Sequence, residues 1–388
     1  MKRTLCVITG ARSEYGLMRP LMEAIRADGH LRLRVIVTGS HLSSAFGMTY
    51  REIEGDGFSI DAKVKILGTR DTPVALACAM GRCTSGIAQA LQRIEPDVVV
   101  VMGDRYEMLA AVSAALICRI PVAHFSGGEL TQGSFDDAIR HAITKMSHLH
   151  FTSTREYRRR VIQLGEDPRR VFKVGEIGLC DLPALKYLSR RQLEDELNII
   201  FQPKNMLITF HPATGTKGSS VPQLMELLKA MAKLDSTLLI FTQANADTEG
   251  RQFNKIIAGF VRRHSARAVL FPSLGRLKYL SLLRQVDAVV GNSSSGLVEA
   301  PSFKVPTINI GDRQQGRIKA ASVVDVPPRK AAIAKALAHI HQAGFQERLR
   351  RVVNPYGDGR GVSRALKILK CYPLQKLVQK KFYDVRFL

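Results

Sequence analysis

Tryptophan is absent from the 388-residue chain, and aromatic residues make up only 6% of it. Base-stacking nucleic-acid platforms need aromatics set among basic residues, and no nucleic-acid module pattern is present. The six cysteines, at positions 6, 78, 83, 118, 180 and 371, form no CxxC pair and no ligand-like cluster, so no metal is expected. Cys6 and Cys118 lie inside apolar segments and read as small core residues; reduced thiols fit a cytosolic enzyme. No apolar run reaches the length of a membrane span. The opening MKRTLCVITG has too short an apolar core for a signal peptide and reads as a first strand. Two nucleotide fingerprints are missing as well. TGARSEYG (9–16) is flanked by glycine but does not spell GxGxxG, and no GxxxxGK[ST] loop occurs. Nicotinamide and P-loop chemistry are therefore not indicated, and no cofactor is expected.

What is present is a globular composition, 45% apolar and 23% charged, with a formal net charge of +23. The basic residues are spread along the chain and concentrate only in the closing LKCYPLQKLVQKKFYDVRFL. A solvated basic surface is the plainer reading; a basic protein that binds RNA or anionic lipid on an αβ scaffold is the competing one.

Short β-rich runs alternate with helical patterns such as LMRPLMEAIRA and YEMLAAVSAALIC. TLCVIT (4–9), RLRVIVTG (32–39), DVVVVMG (97–103), PVAHF (121–125) and HLHFTS (148–153) read as buried parallel strands. The rhythm resumes after residue 200 with NMLITFHP, STLLIFTQ, ARAVLFP, VDAVVGN and PTINIG. This alternation predicts an α/β chain of two doubly wound domains joined near 180–205 and facing a central cleft. The expected division is 1–180 and 181–365.

Ligands of such sheets bind beyond the carboxyl ends of the strands, where the chemically loaded residues fall. Arg12, His41, Asp104 with Arg105, and His124 follow or close strands in the first half; His211, Asn245 and GNSSSG do so in the second. An Asp–Arg pair just past four valines is costly unless it faces a polar cleft or forms a structural ion pair. In GSFDDAIRH, Ser134 and Asp137 fit a capping box, which leaves Asp136, with Arg140 four residues on, as the carboxylate suited to proton transfer. The helix start and Arg140 should keep Asp136 ionised. Glu129, beside the Gly127–Gly128 bend, is a third carboxylate or a solvated loop residue. His141 and His148 are placed on the other helix face with Asp137 and Lys145, in packing roles.

In GNSSSGLVEAP (291–301), small residues and free N–H groups suit a phosphate, Ser293 and Ser294 add hydroxyls, and Glu299, one to two turns into the following helix, can accept a ribose hydroxyl. A plain N-capped helix is the alternative. Arg313 and Arg317 in IGDRQQGR either neutralise phosphate or decorate the surface. Arg12 either reaches a phosphate or is a helix-start surface residue, and His211 can donate to phosphate or assist a departing nucleotide.

These motifs, GARSEYG, TGSHLSSAFGMTYREIE, GDRYE, HFSGGE, DDAIRHAITKMSHLHFTSTREY, TFHPAT, QANAD, GNSSSGLVEAPS and INIGDRQQGR, closely resemble the hydrolysing UDP-N-acetylglucosamine 2-epimerases of bacterial sialic-acid pathways. They also resemble the legionaminic-acid branch, which uses a GDP-linked diacetamido sugar. The resemblance implies a GT-B-like architecture of two Rossmann-like domains, a final helix at about 366–388 crossing back to the first domain, and a homo-oligomer, dimer or tetramer. It also implies conversion of UDP-N-acetylglucosamine to N-acetylmannosamine and UDP through a 2-acetamidoglucal. By that likeness Asp104 and Asp136 belong to the proton-transfer site, His211 lies near the leaving group, Arg12, Ser293, Ser294, Glu299 and Arg313 bind nucleotide, and His41 lies near the sugar. One departure stands out: several relatives carry Glu where this chain has Ser126. A GT-B glycosyltransferase is the remaining enzyme reading, disfavoured because transfer needs no base at C2.

Overall fold

The computed structural model describes residues 2–68, 70, 72–131, 135–180, 182, 185–212, 220–244 and 249–385. The chain forms two compact units. The first comprises Met1–Glu129, Phe135–Pro183 and Tyr356–Leu388; the second comprises Leu130–Ser134 and Ala184–Pro355. The return to the first unit thus begins at Tyr356, and its helix is Gly361–Cys371, where the resemblance implied about 366–388. Pro373 ends that helix because it cannot supply the next backbone N–H.

The first unit holds β1 Arg3–Thr9, β2 Leu31–Thr38, β3 Ala62–Val64, β4 Val98–Met102, β5 Val122–Phe125, β6 Leu149–Thr152 and β7 Val171–Lys173. They form one parallel sheet in the order β3-β2-β1-β4-β5-β6-β7. The all-valine β4 shows why continuous apolar runs read as central strands. Side chains alternate across the sheet, so Val98 and Val100 enter the core shared with Tyr15, Met18 and Leu369. Val99 and Val101 enter the opposite core, with Cys83, Ile87 and Ala111. Both faces are covered, and β4 itself carries no polar side chain on either.

The second unit holds β8 Lys204–Thr209, β9 Thr237–Thr242, β10 Ala268–Phe271, β11 Ala288–Gly291, β12 Thr307–Ile310 and β13 Val323–Val326. Its parallel sheet has the order β10-β9-β8-β11-β12-β13. Both units are Rossmann-like: the chain winds outward one way from β1 or β8, then the other way from β4 or β11. The topological switch points therefore lie at the carboxyl ends of β1/β4 and of β8/β11.

Three edge strands, β3, β7 and β13, escaped the sequence reading. Each is short and only partly buried, so neither length nor apolar density marks it. Cys6 is buried as expected, but Cys118 is exposed. It caps the C-terminus of the helix Tyr106–Ile117 at a surface turn, where Ile117 is also exposed. The helix Pro73–Ile94 passes a length-and-composition test for a membrane span, but it carries Arg82 and Arg93, so it is not the unbroken apolar run whose absence was expected. One of its faces, with Ala79, Cys83 and Ile87, packs into the first unit's core.

Candidate functional site

At the switch point of the first unit, Gly103 turns the chain after β4 with a φ of 80°, a conformation open to glycine. Asp104 follows at once. Its carboxylate pairs with Arg140 from the helix Asp136–Met146, so two sequence-distant candidates meet. The Arg140 side chain is 1% exposed and that of Asp104 21%. Arg140 Nε and Nη1 are buried and have no hydrogen-bond partner among the described residues. Asp136 opens the same helix, one turn before Arg140. The expected cap Ser134 lies outside the described residues; the N-cap position is held by Phe135, whose side chain makes no capping bond.

His124 on β5 is fully buried and supports this turn. Its Nε2 bonds the Gly103 carbonyl at 2.8 Å and its Nδ1 meets the Thr144 hydroxyl at 3.2 Å. Burial lowers its pKa to about 3, so the neutral ring donates from Nε2 to the carbonyl and accepts from Thr144. His41 is buried in the same way. Its ring nitrogens lie 3.1 Å from Thr9 Oγ1 and 2.8 Å from Thr49 Oγ1, and burial lowers it to about 4. Both nitrogens are committed to threonines, so His41 braces the loop after β2 instead of presenting a free ring edge.

Glu129 is 3% exposed, which excludes the solvated-loop alternative; the Ser153 hydroxyl lies 3.5 Å from its carboxylate. Arg12, first residue of the helix Arg12–Ala27, gives its guanidinium to Glu52 at 2.9 Å. Arg105 binds Glu107 at 3.2 Å. His141 pairs with Asp137 at 3.6 Å on the helix face predicted for both. His148 does not share that face. It lies beyond the helix, just before β6, and its Nδ1 accepts the Val122 N–H at 3.1 Å. The helix had already ended at Met146.

Two carboxylates were missed. Glu107 is fully buried, and Glu14 is 7% exposed. One Glu14 oxygen accepts the N–H groups of Gly10 and Ala11 at 2.8 and 3.2 Å, while the other is buried without a partner. Burial, reinforced by the charge of Glu107, pushes Glu14 up to about 8. A Cβ at Gly10 would meet Glu107 Cβ at 3.2 Å, so the glycine admits the buried glutamate. Glu14 and Glu107 belong to GARSEYG and GDRYE, and the glycine beside each strand end was the available signal.

At the second switch point the organising residue is Asn292, also missed. It is 2% exposed. Its side-chain amide exchanges two hydrogen bonds with the backbone of His211, at 2.7 and 2.8 Å, joining the ends of β8 and β11. Its own carbonyl accepts from Arg313 Nη1 at 3.2 Å and Gln314 Nε2 at 2.8 Å. His211, Asn292 and Arg313 are thereby brought together. Gly291 has a φ of 139°, and a Cβ there would overlap the Thr209 carbonyl. Ser293 Oγ accepts the Ser295 N–H at 3.4 Å. The following helix is only Ser295–Val298, and Glu299 is its C-cap, so Glu299 does not stand one to two turns inside a helix. Pro301 shortens the element, and the chain continues as a 3-10 turn over Ala300–Phe303. Burial raises the pKa of Glu299, opposed by Arg276. Asn245 lies outside the described residues.

A sequence profile of the UDP-N-acetylglucosamine 2-epimerase family matches residues 23–370. The chain is 43% identical over 324 residues to the GDP/UDP-N,N'-diacetylbacillosamine 2-epimerase (hydrolyzing) of Campylobacter jejuni, covering 84% of each. It is 37% identical over 387 residues to the polysialic acid biosynthesis protein P7 of Escherichia coli, covering 99% of this chain and 98% of that one. The solved UDP-GlcNAc 2-epimerase of Neisseria meningitidis, bound to UDP-GlcNAc, shares the fold with a TM-score of 0.79 at 20% identity, over 95% and 99% of the two chains. With the profile spanning most of its length and a relative at 43% identity over 324 residues, this chain belongs to the UDP-N-acetylglucosamine 2-epimerase family, among its hydrolysing members.

Proposed function

We propose that the chain converts UDP-N-acetylglucosamine and water to N-acetylmannosamine and UDP. The bond from C1 to the nucleotide oxygen breaks and a carboxylate removes the C2 proton, giving a 2-acetamidoglucal. Water then adds at C1, and a proton returns to C2 from the opposite face. The observation that carries this reading is the Asp104–Arg140 pair at the first switch point, with Asp136 one turn away on the same helix. Two carboxylates there fit a reaction that takes a proton on one face and returns one on the other. The two buried nitrogens of Arg140 that have no partner among the described residues are proposed as donors for a substrate oxygen.

The roles divide between the units. The proposed holders of the nucleotide and its diphosphate are His211 and Arg313, which bond Asn292, together with Ser293, Ser294 and Glu299 further along the same segment. Donors that grip the leaving group more tightly as its charge grows lower the barrier to C1–O cleavage. Arg12 and Arg105, each paired with a glutamate, are proposed on the nucleotide side, and His41 and Glu129 as braces beside the sugar.

A second reading is favoured by one observation, the 43% identity to a GDP/UDP-diacetylbacillosamine enzyme: the sugar carries a second acetamido group. Incubation in D₂O with UDP-N-acetylglucosamine and, in parallel, with UDP- and GDP-linked diacetamido sugars separates the readings. The proposal expects free N-acetylmannosamine with deuterium at C2 from the first substrate. Faster turnover of a diacetamido sugar transfers the assignment to the second reading. Intact transfer of sugar to an acceptor, with no C2 exchange, overturns both in favour of a glycosyltransferase.

A further inference from the structure

The end of the chain closes on the far end of the acid-bearing helix. Beyond the helix Gly361–Cys371, Leu377 is buried in the first unit's core, and Arg170 Nη1 donates to its carbonyl at 2.9 Å. The Tyr383 N–H donates to the Gly165 carbonyl at 2.9 Å. The Phe382 ring lies against Gly165 and 4.7 Å from Lys145 Nζ. Between the backbone anchors at Leu377 and Tyr383, Lys380 points inward. Its ammonium donates to the carbonyl oxygens of Lys145 at 2.6 Å and Ser147 at 2.7 Å, and pairs with Glu166 at 2.6 Å.

Lys145 and Ser147 are the last turn and C-cap of the helix Asp136–Met146. The final carbonyls of a helix have no intrahelical donor, and the partial negative charge there favours a cation. Glu166, whose side chain is fully buried, ties the knot: it also accepts from Lys145 Nζ at 2.8 Å and His150 Nε2 at 2.9 Å. Burial opposes the ionised form of Glu166, but its partners outweigh it and hold the carboxyl down at about 2. His150 is lowered by its own burial, so a neutral imidazole donates to an ionised carboxylate. Arg170 and His148 complete the charged or titratable groups around Lys380.

We propose that Lys380 is a positioning residue: as the cationic cap of the helix Asp136–Met146, it fixes that helix along its axis and so sets Asp136 and Arg140 against Asp104. The inference rests on the proposed proton-transfer role of those carboxylates. The contact itself, tail lysine on helix carbonyls, stands apart from that role.

The test uses the full-length variants Lys380→Met, Lys380→Arg and Phe382→Ala, each measured for turnover and for amide hydrogen exchange over residues 139–147. Displacement of a reacting group by a fraction of an ångström predicts about a tenfold loss of kcat in Lys380→Met with KM within about twofold. Exchange in the helix rises in parallel, Lys380→Arg recovers most of both, and Phe382→Ala, which keeps the ammonium, stays near wild type. Wild-type kcat in Lys380→Met, unchanged helix exchange, or an equal loss in Phe382→Ala overturns the proposal. If the wild-type chain turns over no nucleotide sugar, the functional reading fails, and the exchange measurement alone decides whether Lys380 clamps the helix.

Discussion

Asp104 and Arg12 both carry ion pairs, and their surroundings give those pairs different weight. Arg140 is buried and has two nitrogens without partners among the described residues, so deleting Asp104 strands a buried cation. Asp104→Ala should lower the stability of the first unit by about 3 kcal/mol in urea unfolding. The Arg12 and Glu52 side chains keep 25% and 35% exposure, more than Arg140 does, and Arg12→Ala should cost less than about 1 kcal/mol. Equal losses in the two variants would mean that the Asp104–Arg140 pair is solvated. Glu14 yields a pH prediction. Its folded pKa of about 8 stands above the ordinary 4.5, so the folded state holds a proton that the unfolded chain has released. Its contribution to stability is full below 4.5 and is lost as pH rises through 8. The stability difference between wild type and Glu14→Gln should therefore change with pH across that window, with a slope approaching about one proton; a flat difference would contradict a protonated Glu14.

At the scale of elements, the two sheets share a device at their switch strands. Asp97, just before β4, accepts the Thr4 N–H at 2.7 Å, and Asp287, just before β11, accepts the Asn205 N–H at 2.7 Å. Each aspartate pins the start of one central strand to its neighbour. The opposite ends differ. In the first unit a glycine turn and a buried histidine aim Asp104; in the second the Asn292 amide joins β11 to β8. Asn292→Ala removes both side-chain bonds to His211 and leaves buried backbone groups without partners, so unfolding of the second unit should shift by about 2 kcal/mol. Hydrogen exchange in β8 and β11 should rise while exchange in β1 and β4 stays unchanged. If instead both sheets loosen together, Asn292 is not a local tie.

Across the whole molecule, the shifted histidines cluster in one unit. Burial lowers His41 to about 4, His124 to about 3 and His148 to about 4, and it also lowers His141 and His150. All five belong to the first unit. Their folded values lie below the ordinary 6.5, so the unfolded chain binds protons first. The stability they confer is complete above that value and is lost as pH falls toward 4. Acid should therefore open the first unit with uptake of several protons between pH 6.5 and 4, read as exchange across β1–β7 and as a potentiometric slope. His124→Gln should reduce that slope; an acid transition confined to the second unit would refute the argument. The excess of positive charge adds repulsion in the same direction.

The central strands, the two-sheet architecture, the strand-end placement of Asp104 and His211 and the helix-start placement of Asp136 were legible in the sequence. Period and apolar run length are local properties, and a parallel strand buried on both faces has little choice of residue. The edge strands β3, β7 and β13 were not, because partial burial relaxes that choice. Pairing was decided by tertiary structure alone. Asp104 met Arg140, Arg12 turned to Glu52, Lys380 reached the helix before it in the chain, and Asn292 took the backbone of His211. Each joins residues far apart in sequence, and the low-dielectric interior that makes such a contact strong exists only once the sheets have closed over it.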